Sequence, residues 1–458
     1  MPETGSPASA NRSVRPVEII AYLISPIHLI DALGAAKALH GDRPLRVSVW
    51  VHWPYAELAQ VEQLLGVIAT MSSRMPEVVS AQPITTEMLS GVMGRPDAAV
   101  AASELRARLG SESFDEIYYS HDVVGEFFWA LAEAYPGARR ICFGDGLGIV
   151  YQRKYHLEVS YPPVDENGEP LPPRLDDEPE PVPPPAVTQP PAAPVAKPSG
   201  IARLLNWFSG ANAGDAETAA PVVVPEPPPA PFGTTAVKPH IAGLILPVDQ
   251  SGRFLRGVEL QTVPKSVVLD LIDQAAAGCT EFLAHTEAIL ADCGDRPKFL
   301  LITENNAEGE CISFEREIEM YCSIVRERAP TGSAIILKSH PGETLPRNEA
   351  LTAALENDYA VYRIDPRFKR YPIELAKRLL HQSQPICMSY PTLSLKYLYD
   401  IDVVQPMDDA FIERWFPKRF WPAYKNSLLL YDEPLKRLKD WDGRSLLWQG
   451  NEAEAIAG

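Results

Sequence analysis

What most limits the fold of this chain is a regular alternation. Short apolar, β-branched runs are each followed by a longer stretch of helical periodicity, in units of about 25 to 35 residues. That rhythm predicts an α/β protein with parallel sheets and helices on both faces. The first strand is predicted over Val17–Ser25, stopped by Pro26, with a helix over Ile27–Leu39. Strands follow at Leu45–Trp53, Glu77–Pro83, Phe114–Ser120 and Arg139–Phe143, with helices over Tyr55–Ile68, Thr86–Leu109 and Gly125–Tyr135 between them. A second set starts near Ile241. Its helices are predicted over Ser266–Ala276, Thr280–Leu290 and Ser313–Arg328, and its strands over Lys298–Thr303, Ala334–Lys338, Tyr359–Tyr362 and Pro385–Met388.

An abrupt change of composition separates the two sets. Between Pro162 and Pro239 stand 21 of the chain's 45 prolines, and so proline-rich a segment builds neither a ladder nor a core. The expected organisation is a disordered N-terminus at 1–15, a Rossmann-like lobe at 16–161, a long Pro-rich disordered insertion at 162–239 and a second Rossmann-like lobe at 240–458, with a cleft between the lobes. The 458 residues suffice for sizeable cores in each. A net charge of −18 argues against nucleic acid as a partner, since phosphate backbones need a basic surface. No apolar leader follows Met1 and no apolar run approaches a membrane span, so a cytoplasmic protein is expected. The six cysteines form no C-x-x-C pair and read as reduced core thiols. The histidines show no metal-ligand spacing and no Cys/His cluster, so no structural metal is expected.

The chemistry is concentrated where strands end. Ala334–Lys338 runs into Ser339-His340, and Pro341-Gly342 breaks it. Ligands of open α/β sheets sit beyond the carboxyl ends of strands, where helix N-termini also point. A cationic His340 there suits a phosphate; alternatively it merely closes the strand. Cys142 leads into the loop Gly144-Asp145-Gly146, whose glycines permit close approach of a substrate. Asp145 is either a general base toward a sugar hydroxyl or the acceptor of hydrogen bonds within a tight turn. Ser389, Thr392 and Ser394 lie at a strand-to-helix junction, as phosphate-binding hydroxyls or as ordinary helix caps. Glu374 is placed to accept hydrogen bonds from a ribose diol, or serves as a favourable charge in a first helical turn. Glu304-Asn305 ends the Lys298–Thr303 strand, and Ser25, His28, His121 and Asp122 sit at strand ends of the first lobe.

In order and spacing these pieces resemble the bacterial CMP-sialic acid-dependent sialyltransferases, in particular the polysialyltransferase and lipooligosaccharide sialyltransferase group. The resemblance is clearest from Phe299 to Tyr399, through Ser313-Phe314-Glu315, Lys338-Ser339-His340-Pro341-Gly342-Glu343, Pro372-Ile373-Glu374-Leu375 and the Ser/Thr segment. In the first lobe it rests on Ser25-Pro26 and the Asp145 loop. It implies a GT-B fold, with the acceptor on the first lobe and the CMP-sugar on the second. Asp145 would match the acid-acid-Gly motif that deprotonates the acceptor, and His340 the His-Pro motif that stabilises the departing CMP phosphate. Glu374 would bind the ribose, and Thr392 with Ser394 or Ser389 the phosphate. Lys338, Pro341, Glu304 and Asn305 complete the donor side; Ser25, His28, His121, Asp122, Gly144 and Gly146 the acceptor side. Gly144 stands where the family has its first acid, which leaves His121 or Asp122 as alternative bases, and Pro391-Thr392 replaces an adjacent hydroxyl pair.

The resemblance implies an inverting, metal-independent transferase moving sialic acid or a related nonulosonic acid to a glycan or glycolipid acceptor. A catalytically inactive sugar-nucleotide-binding scaffold, or a GT-B enzyme using an NDP-hexose, are the other readings. A CMP-sugar carries one phosphate, so no cofactor or metal is expected. Asp400-Ile401-Asp402 and Asp440-Trp441-Asp442 match the metal motif of another glycosyltransferase class but lie late in the chain. Peripheral contact with the inner face of a membrane is expected through 201–208 or through the aromatic and cationic segment 415–421, whose other reading is a buried helix connection.

Overall fold

The structure, a computed structural model, describes residues 15–52, 58–84, 98–110, 113–121, 125–150, 165, 238–252 and 254–450. The expected N-terminal disorder at 1–14, Asp122, most of the Pro-rich insertion and its 201–208 island lie outside the described residues.

The first lobe is built on strands β1 (Val17–Leu23), β2 (Leu45–Val51), β3 (Val78–Pro83), β4 (Glu116–Tyr119) and β5 (Arg139–Cys142). Between them run helices α1 (His28–His40), α2 (Leu58–Ser72), α3 (Ala98–Leu109) and α4 (Gly125–Ala134). Alternate residues of β1 bury on opposite faces. Ile19, Ala21 and Leu23 join the core under α1 and α2, while Ile20 and Tyr22 join the core under α3 and α4. A strand buried on both faces has to be apolar, as β1 is from Ile19 to Leu23.

The sheet order is β3-β2-β1-β4-β5-β7-β9, all parallel, where β7 is Ile241–Leu244 and β9 is Glu259–Thr262. These last two strands correct the expected lobe boundary at 240. Ile241 and Ala242 pair with Ile141 and Cys142, so the chain re-enters the first sheet beyond the insertion. The cause is the apolar, fully buried β7, which covers the edge that β5 would otherwise leave open. Helix α5 (Lys265–Gly278) still packs on α1 and α2.

The second lobe follows α6 (Thr280–Cys293). Strands β10 (Lys298–Ile302), β11 (Ala334–Lys338), β12 (Ala360–Arg363) and β13 (Gln384–Ile386) form a parallel sheet in the order β12-β11-β10-β13. Helices α7 (Phe314–Arg328), α8 (Arg347–Leu355), α9 (Lys377–Gln382) and α10 (Pro391–Tyr399) accompany it. A 3₁₀ turn, Ile373–Leu375, precedes α9. Helices α11 (Asp409–Trp415) and α12 (Trp421–Leu438) carry the chain back to β14 (Trp448–Gln449), which pairs with β8 (Val248–Asp249) beside β6 (Ile149–Val150). The result is two Rossmann-like lobes, the expected GT-B-like architecture.

Strand order reverses between β1 and β4 in one sheet and between β10 and β13 in the other. Open α/β sheets bind ligands at such reversals, outside the carboxyl ends of the strands. The residues that follow those strands are therefore the ones to inspect.

One buried histidine lies apart from them. Tyr22 Oη and His52 Nδ1 are 2.6 Å apart, and burial pulls His52 from 6.5 down to about 4. A group whose pKa is depressed by folding contributes stability above its unfolded value, and that stability is lost as pH falls through the folded value. From pH 6.5 to pH 5 the loss is about 2 kcal/mol. On acidification from pH 7 to pH 5, His52→Gln is expected to lose about 2 kcal/mol less stability than the unaltered protein in urea denaturation. Equal losses would refute this.

Candidate functional site

The first-lobe half forms around the turn after β1. Pro26 ends the strand, and the His28 N–H donates to the Ser25 carbonyl at 3.2 Å. His28 is fully buried, with Phe143 edge-on to its ring. Its Nδ1 accepts the Ile24 N–H at 3.4 Å, which leaves the proton of a neutral ring on Nε2. That nitrogen donates to Asp145 Oδ1 at 2.8 Å, and the Gly146 N–H donates to the same oxygen at 2.8 Å. The reading of Asp145 as a hydrogen-bond acceptor within the turn is the one the structure shows: Oδ1 is held there, and Oδ2 lies 3.9 Å from His121 Nε2.

The loop explains why position 144 is not an acid. Gly144 has φ +77°, and a Cβ there would stand 2.6 Å from the Gly148 carbonyl carbon. The turn closes through Asp145 N–H to the Ile149 carbonyl at 2.6 Å and Ile149 N–H back to the Asp145 carbonyl at 2.8 Å. Only glycine fits at 144 in this conformation, so the carboxylate is presented from 145. Ser25 contributes its backbone carbonyl to the turn.

On the second lobe, β11 delivers His340. Its Nδ1 accepts the Gly342 N–H at 3.0 Å. Burial, reinforced by Lys338 and Arg347, pulls the ring down to about 4. This corrects the expected cationic histidine: His340 is neutral at pH 7 and presents an Nε2–H donor. Lys338 is buried and committed to the Ser339 carbonyl at 3.0 Å and the Lys369 carbonyl at 2.6 Å. Its pKa is lowered to about 8 by burial, against the pull of Glu374 and Glu343. Asn305 Nδ2 and the His340 ring both border Gly342, so the ends of β10 and β11 converge beside Pro341.

The hydroxyls divide between two tasks. Ser394 Oγ donates to Glu374 Oε1 at 3.2 Å, so it holds the expected ribose-binding carboxylate and is not itself turned to a phosphate. Burial pushes Glu374 up, while Ser394 and Lys338 ease it back. Thr392, in the first turn of α10, is 2% exposed and its Oγ1 has no hydrogen-bond partner. An orphaned hydroxyl at a helix N-terminus suits an anion. Ser389, just before α10, has its Oγ 3.4 Å from Cys387 Sγ, and it eases down the pKa of Glu304, which follows β10.

A buried arginine that the sequence did not single out holds these loops. Arg347 is fully buried and meets three carboxylates: Glu317 at 2.7 and 2.9 Å, Glu343 at 2.8 Å and Glu308 at 2.5 Å. Glu308 in turn accepts the Thr344 and Leu345 N–H groups, Glu317 the Asn306 N–H, and Glu343 the Ser339 hydroxyl. The loops after β10 and β11 are therefore tied to one guanidinium. Burial pushes Glu317 and Glu343 up; at Glu308 it is outweighed by Arg347 and the Thr344 amide, and the net shift is downward.

The lobes touch at the carboxyl ends of their strands. Tyr390, between Ser389 and α10, packs so closely on Gly146 that a Cβ there would lie 2.7 Å from its ring. Burial raises the Tyr390 phenol, and the Asp145 and Glu304 carboxyls raise it further. Asp31 on α1 is 1% exposed and pushed well up by burial, Asp145 and Glu374. Neither Tyr390 nor Asp31 carried a sequence signal, because each is placed by the other lobe.

Other expectations resolve simply. Asp400 and Asp402 are exposed and paired with Lys396, and Asp442 receives the Arg444 and Ser445 N–H groups, so both Asp-x-Asp motifs have local structural partners. Among the described residues no group of three or more His, Cys, Asp or Glu is arranged to hold a metal, and no helix is long and apolar enough to cross a membrane. Trp415, Phe416 and Phe420 are buried. Phe416 stacks on Tyr424, and Arg316 and Arg414 cover Trp415. In 415–421 the reading as a buried connection therefore prevails over a membrane-facing patch.

No family model matches the chain, and no curated protein does. Among solved structures it is similar to UDP-GlcNAc 2-epimerase from Neisseria meningitidis bound to UDP-GlcNAc, at 11% identity over 96% of this chain and 98% of that one, with a TM-score of 0.39. It is also similar to the GT-B domain of a sialyltransferase from Photobacterium damselae, at 10% identity over 90% and 96% of the two chains, with a TM-score of 0.37. A third is a UDP-glucosyltransferase from Polygonum tinctorium, at 11% identity over 92% and 94%, with a TM-score of 0.30. At such identities and TM-scores these likenesses carry no argument about chemistry.

Proposed function

We propose that this chain is an inverting, metal-independent glycosyltransferase that moves sialic acid or a related nonulosonic acid from a CMP-sugar to a glycan or glycolipid acceptor. The supporting observation is the meeting of two half-sites. A carboxylate fixed by His28 lies on one lobe, and the neutral His340 donor, Asn305, Ser389 and the orphaned Thr392 hydroxyl lie on the other, both at the carboxyl ends of their strands. The donor set contains hydrogen-bond donors and a helix N-terminus, which suit the single phosphate of a CMP-sugar. Asp145 takes the acceptor's proton as the acceptor oxygen attacks the anomeric carbon. Glu374, held by Ser394, accepts from the ribose hydroxyls.

Calorimetric titration in EDTA with CMP, CDP, UDP and GDP tests the reading. CMP is expected to bind best, and His340→Ala to weaken it about tenfold, the worth of one hydrogen bond to a charged group. Preference for a nucleoside diphosphate, or binding indifferent to His340, would overturn it. The anomeric configuration of an isolated product, read by NMR, checks inversion.

A further inference from the structure

We propose that Glu304 is the acid partner of Asp145: as a carboxylic acid it gives its proton to the leaving phosphate oxygen while Asp145 takes one from the acceptor. The inference rests on the CMP-sugar reading above and adds a residue to it.

Placement is the first support. Glu304 follows β10 at the β10/β13 reversal, where the second sheet opens to ligand. Its Oε1 is out of solvent and has no hydrogen-bond partner. The Glu304 N–H is used by the Tyr321 hydroxyl at 2.6 Å, which pins the backbone. Tyr390, in contact with Gly146, lies within electrostatic reach of both Asp145 and Glu304. The two carboxyls thus approach one side chain from opposite lobes, as an inverting displacement requires of its base and acid.

Charge is the second support. An ionised Glu304 would repel the phosphate that Thr392 and α10 attract, whereas the acid form donates to it. Burial lifts Glu304 from 4.5 to about 7, with Glu317 adding to the rise and Ser389 and Arg347 opposing it. The other titratable groups coupled to it are the Tyr321, Tyr390 and Tyr431 phenols and the Cys387 thiol, all raised by burial. His340 does not compete for the role. Its ring is neutral, and losing the Nε2 proton would leave an imidazolate.

The step balances without a further reactant. The glycosyl C–O bond breaks with its electron pair on the phosphate oxygen, which takes the Glu304 proton. The acceptor oxygen bonds to the anomeric carbon and its proton passes to Asp145. Asp145 then releases a proton to water, and Glu304 regains one.

The experiment follows release of CMP from CMP-sialic acid against pH, with CMP titrated in parallel. In the unaltered protein kcat is expected to fall tenfold per pH unit above about 7, as the acid form is lost. Glu304→Gln, which keeps the size and a donor but no transferable proton, is expected to be about 10²-fold slower or worse. It should lack the alkaline limb and bind CMP within a few-fold of the unaltered protein. Glu304→Asp, which keeps an acid, should retain the limb. A Gln variant with full rate, with the limb intact, or folded but unable to bind CMP overturns the proposal. If the unaltered protein binds no CMP, the CMP-sugar reading itself falls and the acid role with it.

Discussion

Arg347→Met is expected to lower the unfolding free energy by about 3–5 kcal/mol, measured by urea denaturation at pH 7. Buried ion pairs are often no more stabilising than apolar residues of the same shape. The loss arises because this substitution removes one partner and leaves three. Glu308, Glu317 and Glu343 would remain at the same spot, two of them fixing backbone amides of adjoining loops. Neutralising them should restore much of the loss, so Arg347→Met with Glu308→Gln and Glu317→Gln is expected to be more stable than Arg347→Met alone. The pH dependence has a definite sign. Without the guanidinium the already raised folded-state pKa values of Glu317 and Glu343 rise further and the downward pull on Glu308 is lost, and stability that depends on raised groups is lost as pH rises. The single variant should therefore be least impaired near pH 5. A variant as stable as the unaltered protein would show that Arg347 does not tie these loops together.

Asp145→Asn is expected to slow transfer by about 10²–10⁴-fold while leaving CMP affinity unchanged, since the amide keeps the shape but takes no proton. The measurement is kcat for CMP release with acceptor present. Moving the acid one residue earlier should not compensate. Gly144→Asp would recreate the paired-acid pattern of the resembling family. However, its backbone holds φ +77° and its Cβ would collide with Gly148. That variant is expected to cost more than about 1 kcal/mol of stability, and Gly144→Asp/Asp145→Asn to stay as slow as the single Asn variant. Recovery in the double variant would mean that the loop adopts another conformation when substrate binds.

What the sequence made legible is local. Apolar runs ended by Pro26 or by Pro341-Gly342 mark strands because the signal and the element occupy the same residues, and β1, β10 and β11 lie within two residues of expectation at each end. Sheet membership is not local. The proline-rich segment falls between β6 and β7, so a break in composition looked like a break between lobes although β7 continues the first sheet. Asp145, His28, Glu304 and His340 were singled out as candidates because each follows the end of a strand. Their protonation was not legible, because neutral His340 and raised Glu304 follow from burial that only packing produces. The partners of Arg347 lie 4, 30 and 39 residues away, and no sequence period connects them. Ser394 was offered beside Ser389 as a phosphate-binding hydroxyl or a helix cap because of its place at a strand-to-helix junction, whereas the turn of α10 points it at Glu374.

The contact between Tyr390 and Gly146 has a thermodynamic reach beyond packing. In the proposed transferase it would place protein where two reactants meet, so the conformer that admits them would be a minority of the resting population. A first ligand then binds with its intrinsic dissociation constant divided by that minority fraction. A second ligand, arriving once the ring has been displaced, escapes the penalty. Donor and acceptor of the proposed reaction would thereby be cooperative without touching each other, and either one assayed alone would understate the strength with which the pair is held.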